Sequence, residues 1–434
     1  MITLCHDDYT IGWICALPLE MAAAKAMLDE IHEGLPVQPN DHNAYTLGKI
    51  GKHNVVIACL PTGDYGTASA STVAMQLLSS FRAIRAGLLV GIGGGIPSDE
   101  VDIRLGDVVV GVPTSRTTLG GVVQYDLGKA VRDGRFERTG ALNRPPQILA
   151  TAVSKLQAVH QMEGSRIPSF VDEIGKKYPR MRDAYTVSYL QDRLFDARYP
   201  HVKLMNFPKS TCSKCKSTRL INRPARSNSD PVVHYGIIAS GNQVVKDSHL
   251  RDRLGRGLGA YCVEMEAAGL VNNYPCLVVR GICDYADSHK NKEWQGYAAA
   301  VAAAYGKELL LMTSDSSVNR KEIPSNARLA GRGHTDRTTA YLKMREQDCL
   351  RSLQLSNIDI PRLLHKGIIE TKWKEVFGIK AYNEWYTGDG GGGLIWIKGK
   401  PGSGKSTFMK HAFCRAVEEL RDTGASIAGF FFNG

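Results

Sequence analysis

The chain's most constraining feature is a set of short apolar runs that do not alternate with polar residues. They stand in "YTIGWICALPLEMAAAKAML" (9–28), "NVVIACLP" (54–61), "AGLLVGIGGGIP" (86–97), "LGDVVVGVPTS" (105–115), "HYGIIASGNQVVKD" (234–247) and "PCLVVRGICDYAD" (275–287). A strand with one wet face alternates; a run that does not is covered on both faces. Between the runs lie helical stretches such as "GTASASTVAMQLLSSF" (66–81) and "GYAAAVAAAYGKELLLM" (296–312). Strands divided by helices predict an α/β domain with helices on both faces of its sheet. In the first stretch a turn is expected at Pro18, and "VGIGGGI" (90–96) is expected to be a glycine loop ending a strand.

The pattern breaks at about 130–230, which is polar and irregular and reads as an insertion, helical near 146–160. It resumes and ends near residue 315, where "SDSSVNRKEIPSNARLAGRGHTDRTT" (314–339) has linker composition. The expected domains are therefore 8–313, a partly helical linker over 314–390, and a final segment over 391–434. No apolar run approaches the ~18 residues of a membrane helix. The N-terminus "MITLCHDDYT" lacks the basic start and apolar stretch of a secretory signal. A soluble, cytoplasmic protein with no membrane partner is expected. The net charge of +11 owes much to connecting segments such as 209–226, which has six basic residues and no acidic one. Aromatics do not interleave with these charges, so nucleic acid is not an expected partner. The ten cysteines are scattered, and the close pair Cys212 and Cys215 shows no second pair or histidines at zinc-ligand spacing. Free thiols are the expectation.

The final segment carries "GKPGSGKS" (399–406), which fits G-x-x-x-x-G-K-[ST] after the strand-like "LIWIKG" and before a helical stretch. Gly399, Gly402 and Gly404 would let backbone N–H groups wrap phosphates. Lys405 would reach the outer phosphates, Ser406 would hold Mg²⁺, and Thr407 completes the site. ATP or GTP with Mg²⁺ is the expected ligand if the segment folds. Hydrolysis also needs an acid on a later strand. None follows "SIAGFFFNG" in these 434 residues, so only the beginning of an ATPase domain is expected.

Three acids of the first domain fall near strand ends, where open α/β sheets gather their ligand sites. They are Glu20 after the first strand, Glu266 in "VEMEAAG" and Asp284 in "RGICDYAD", with the glycine loop between them in the chain. In this order the sequence resembles the nucleoside phosphorylase and nucleosidase superfamily over about residues 8–313, apart from the insertion. The resemblance implies a three-layer α/β domain with a mixed central sheet. It also implies an enzyme acting on the N-glycosidic bond of a purine nucleoside or nucleotide, without a cofactor and as a homo-oligomer.

It implies roles as well. Glu266 would take the ribose hydroxyls, with Met265 packed against the sugar and Glu264 beside it. Gly93 and Gly94 would line the ligand. Asp284 would protonate the purine as it departs, because a purine anion leaves poorly from an oxocarbenium-like sugar. The arginine that many phosphorylases carry before the glycine loop is Leu89 here, and the serine of that loop is Ile92. "ICALPLEMAAA" resembles the opening of methylthioadenosine/S-adenosylhomocysteine nucleosidases and puts Glu20 at their water-activating position. A carboxylate serves as base for water but repels phosphate. Hydrolysis is therefore expected, with phosphorolysis or a silent binding module as the alternatives. The base-stacking phenylalanine is replaced by Val244, its neighbouring acid by Asn242, and the serine before the catalytic aspartate by Cys283. Together with the P-loop, the lead-in segments 348–368 and 392–410 resemble fungal NOD-like receptors, in which such a domain is an N-terminal effector before a NACHT module. The resemblance suggests a truncated receptor or a short free-standing form. Adenosine or ATP would be an apt substrate there, and the basic stretch Lys209–Arg226 would meet a phosphate tail.

Overall fold

The structure, a computed structural model, describes residues 4–36, 38–114, 119–131, 136–186, 190–202 and 212–313. The chain divides into two units, Met1–Lys321 and Glu322–Gly434, and every described residue lies in the first. The linker and the P-loop residues Gly399, Gly402, Gly404, Lys405, Ser406 and Thr407 lie outside the described residues.

The first half of the domain runs β1 (Ile11–Cys15), α1 (Pro18–Ala26), β2 (Glu30–Ile31), β3 (Tyr45–Ile50), β4 (His53–Cys59), α2 (Thr67–Ser80), β5 (Ala86–Gly95) and β6 (Val108–Gly111). Next come β7 (Val122–Gln124), a small hairpin of β8 (Gly128–Ala130) and β9 (Phe136–Arg138), then α3 (Gln147–Glu163), α4 (Ile167–Lys177) and α5 (Arg182–Tyr185). The domain ends with β10 (Val233–Ser240), α6 (Ser248–Leu258), β11 (Ala260–Glu264), α7 (Ala267–Leu270), β12 (Cys276–Asp284) and α8 (Gln295–Met312).

The strands form one mixed sheet in the order β11-β10-β6-β12-β5-β1-β4-β3-β2, with β7 beside β10. β11 also pairs antiparallel with β5, so β11, β10, β6, β12 and β5 close into a ring. The absence of alternation has its predicted cause. Val55, Ile57, Leu88, Val90, Leu277 and Val279 pack into one apolar cluster with α1, α3, α4 and α8. The residues between them, Val56, Ala58, Leu89 and Val278, pack into a second cluster with α2 and α7. Each such Val, Leu or Ile, when fully buried, contributes roughly 1.5–3 kcal/mol.

Pro18 does not make a turn; it is the first residue of α1, where its missing N–H costs nothing. The strand β3, not among the apolar runs read from the sequence, pairs antiparallel with β4. The 130–230 insertion contains more helix than its composition suggests. α4 is short but strongly amphipathic and buries Ile167, Phe170, Val171 and Ile174 against the domain. No helix among the described residues is long and apolar enough to cross a membrane.

Candidate active site

β5 stays a strand through Gly95, where the sequence predicted a loop. The reason is room. At its end β5 is flanked on both edges, by Val263 of β11 and Asp284 of β12, each paired with Gly94. A Cβ on Gly94 would lie 2.9 Å from Asp284 Oδ1, and one on Gly91 would lie 2.4 Å from Arg280 Nη1 and 2.5 Å from Glu20 Oε1. The glycines are bare because charged side chains occupy the space beside them.

Glu20 is buried at the start of α1. Its Oε2 accepts from the backbone N–H of Ala16 at 2.7 Å and of Leu17 at 2.9 Å, so it does cap the helix. Its Oε1 accepts from Ile92 N–H of β5 at 2.8 Å. One carboxylate thus ties α1 to the glycine-rich strand. Burial pushes Glu20 above the ordinary glutamate range, against the pull of Arg280 and the three N–H donors.

Arg280 is the hub, and sequence reading gave it no role. It sits in β12 at 1% exposure. Its Nη2 donates to Glu264 Oε2 and, at 3.2 Å, to Glu266 Oε2. The signal was present: an arginine inside the apolar run "CLVVRGIC" needs buried carboxylates to hold it.

The two glutamates do different work. The chain leaves β11 at Glu264, bends at Met265 and Glu266, and enters α7 at Ala267. Glu264 accepts from the N–H groups of Glu266 at 3.1 Å and Ala267 at 3.0 Å as well as from Arg280. It is a scaffold for Arg280 and the bend. Glu266 is buried, and that burial pushes its carboxyl up to about 7, with Arg280 opposing. Met265 is half-buried between them.

Asp284 ends β12, at 4% exposure. Its Oδ1 accepts from Ala286 N–H at 2.8 Å, and its Oδ2 accepts from the Cys283 thiol at 3.2 Å and pairs with Lys290 Nζ at 2.8 Å. Burial pushes the Cys283 thiol far up, so it stays an S–H donor. The hydrogen bond that a serine would have made is therefore kept by sulfur. Glu20 is anchored at Ile92 and Asp284 is paired with Gly94. Two residues along a strand span roughly 7 Å, which is the scale of a ribose with its base bond.

Val244 is 53% exposed, whereas its neighbour Val245 is buried in the cluster that holds Val263 and Ala286. Asn242 accepts from Thr67 N–H and Oγ1, each at 3.0 Å, and so closes the start of α2. Two arginines of the basic stretch, Arg223 and Arg226, serve the domain itself. Arg226 grips buried Asp107 with both nitrogens at 2.6 and 2.7 Å, and Arg223 pairs with Asp192 and Asp102. Those contacts neutralise acids and dock the insertion. A cavity of about 520 Å³ touches Asp284, Cys283, Asp287, His289 and Arg193, but none of the three glutamates.

A methyl group at Gly91 would have to displace Arg280 or Glu20. Gly91→Ala is expected to cost about 1–3 kcal/mol of stability and to lower turnover far more than that loss explains. Circular dichroism melts beside steady-state kinetics check this.

Residues 373–434 match the family model described as Nephrocystin 3, N-terminal. The chain is 45% identical over 322 residues to a nucleotide-binding leucine-rich repeat (NLR)-like protein of Hyaloscypha variabilis, covering 74% of this chain and 31% of that protein. It therefore spans about a third of that relative's length. It is 23% identical to a 5'-methylthioadenosine/S-adenosylhomocysteine nucleosidase of Mycobacterium bovis, covering 69% of this chain and 95% of that one. It is also 23% identical to the ATP nucleosidase Cap17 of Escherichia coli, covering 67% and 48%. Among solved structures it is similar to futalosine hydrolase of Helicobacter pylori, at 16% identity and a TM-score of 0.43 over 70% of this chain and 98% of that one. The Phosphorylase superfamily model matches residues 10–311, a span that holds Glu20, Glu264, Glu266, Arg280 and Asp284, and the chain belongs to that superfamily.

Proposed function

We propose that the first domain hydrolyses the N-glycosidic bond of a purine nucleoside or nucleotide. The observation that carries this reading is the anchoring of Glu20 on β5 two residues before the glycine that Asp284 faces. Glu266 takes the ribose hydroxyls, with Met265 against the sugar. Glu20 draws a proton from water on one side of the anomeric carbon. Asp284 delivers a proton to the base on the other. Lys290 Nζ stands 2.8 Å from Asp284 Oδ2, so the donor works as a pair: a proton passes from the ammonium to Asp284 and from Asp284 to the leaving base, which leaves Lys290 as a neutral amine.

Water rather than phosphate is the nucleophile. The position of the phosphorylase arginine is Leu89, whose side chain is fully buried in the core. The nearby cation, Arg280, already faces Glu264, Glu266 and Glu20. Three carboxyl groups around one guanidinium repel a phosphate anion once ionised. Chromatography of base release over a panel of nucleosides and nucleotides tests this, with and without inorganic phosphate. The expected result is free purine and free ribosyl product at a rate indifferent to phosphate. Turnover that requires phosphate, with ribose-1-phosphate as product, overturns hydrolysis. Ligand binding without product overturns the enzyme.

The likeness to an NLR-like protein and the motif at 399–406 support an effector role upstream of a nucleotide-binding segment. Lys405→Ala should then abolish binding of a fluorescent ATP analogue to the full chain without altering base release.

A further inference from the structure

The insertion carries a second constellation. His201, Cys212 and Cys215 place one ligand atom each within 4.8 Å of one another. His201 Nδ1 lies 3.3 Å from Cys215 Sγ and 3.9 Å from Cys212 Sγ. Tetrahedral zinc, with bonds of about 2.3 Å to sulfur and 2.0–2.1 Å to nitrogen, sets its ligand atoms roughly 3.5 Å apart. The two separations bracket that edge. Sequence spacing hid the set. The histidine stands well before the Cys-x-x-Cys turn, and the fold folds it back.

A second observation points to the same place. His289 is 7% exposed, and among the described residues neither of its ring nitrogens has a hydrogen-bond partner. Its ring meets the His201 ring edge-on at 5.5 Å and is stacked on Phe195 at 4.0 Å. Its carbonyl oxygen lies 4.0 Å from Cys212 Sγ, and its Nδ1 lies 3.6 Å from the Asp287 carboxylate. A carboxylate beside one ring nitrogen is how metal-binding histidines are commonly oriented, with the other nitrogen turned to the ion.

We propose that His201, Cys212 and Cys215 hold a zinc-class divalent cation, and that His289 faces its remaining position. The cation would join the insertion to the loop that follows Asp284. Cys212, His289 and Asp284 line one cavity, so the clamp stands beside the acid that the hydrolytic reading uses. The site itself does not depend on that reading.

The full chain, purified without chelator, should carry about one zinc per molecule by elemental analysis. Cobalt exchanged into it should show thiolate-to-cobalt charge transfer and the strong visible bands of four-coordination. Cys212→Ser with Cys215→Ser should lose both signals while its far-ultraviolet circular dichroism stays that of the parent. His289→Gln and Asp287→Asn should each weaken cobalt binding by about 10–100-fold. A parent chain with neither zinc nor a cobalt–thiolate band overturns the site, as does a double variant that keeps them. Oxidised Cys212 and Cys215 in the native protein overturn it in favour of a disulfide. Unchanged affinity in His289→Gln overturns the fourth ligand.

Discussion

Glu20→Gln is expected to lower base release by about 10²–10⁴-fold, the usual contribution of a positioned acid or base, while nucleoside binding changes little. The carboxylate sits where backbone N–H groups from the β1–α1 turn and from β5 converge, so it is fixed rather than mobile. An amide can satisfy two of those donors but turns an N–H against the third. A stability loss of about 1–3 kcal/mol should accompany the substitution. Glu20→Asp keeps the charge and withdraws it from water, and should lose rate as well. Isothermal titration with a nucleoside separates binding from chemistry. Equal losses of both would assign Glu20 to the scaffold.

The sign of the pH dependence follows. A base must be ionised. Burial raises the Glu20 and Glu266 carboxyls above the ordinary glutamate range. kcat/KM should therefore rise with pH along a limb displaced above the usual value of about 4.3. Stability should move the other way. The folded protein holds a proton on Glu266 that the unfolded chain releases, so folding weakens as pH climbs from about 4.3 towards 7. Glu266→Gln should flatten that slope.

Asp284→Asn carries the second large effect, again about 10²–10⁴-fold on a purine nucleoside. Its diagnostic is the leaving group. A riboside of p-nitrophenol needs no proton to depart, so on it the variant should approach the parent. Lys290→Gln should show the same pattern more weakly. A uniform loss on both substrates would mean that Asp284 and Lys290 only hold the end of β12 in place.

The fold was largely written in the chain because its strands are buried on both faces. Residues such as Val55 and Val56 are both apolar because both sides of β4 are covered. Strands that depend on a partner, such as β3, carry no such mark, since their stability comes from pairing with β4. Glu20, Glu266 and Asp284 were found as isolated acids near strand ends. The common anchor of the two VEME glutamates was not: Arg280 lies 14 and 16 residues from them in sequence and meets them through the closure of β11 onto β5. The glycines at 91–95 were legible as close approach but misread as a loop, because a glycine run does not reveal whether a ligand or a neighbouring strand fills the space. Val244, placed by the resemblance, is exposed, while its neighbour Val245 is buried.

The most direct trial of the three-acid site is turnover of a purine nucleoside in heavy-oxygen water, read by mass spectrometry of the sugar. If the acids act as proposed, each released ribosyl product carries one solvent oxygen at its anomeric carbon, and Glu20→Gln forms that labelled product about 10²–10⁴-fold more slowly. A sugar that leaves as its phosphate, or a bond that stays intact while the nucleoside is bound, would contradict it.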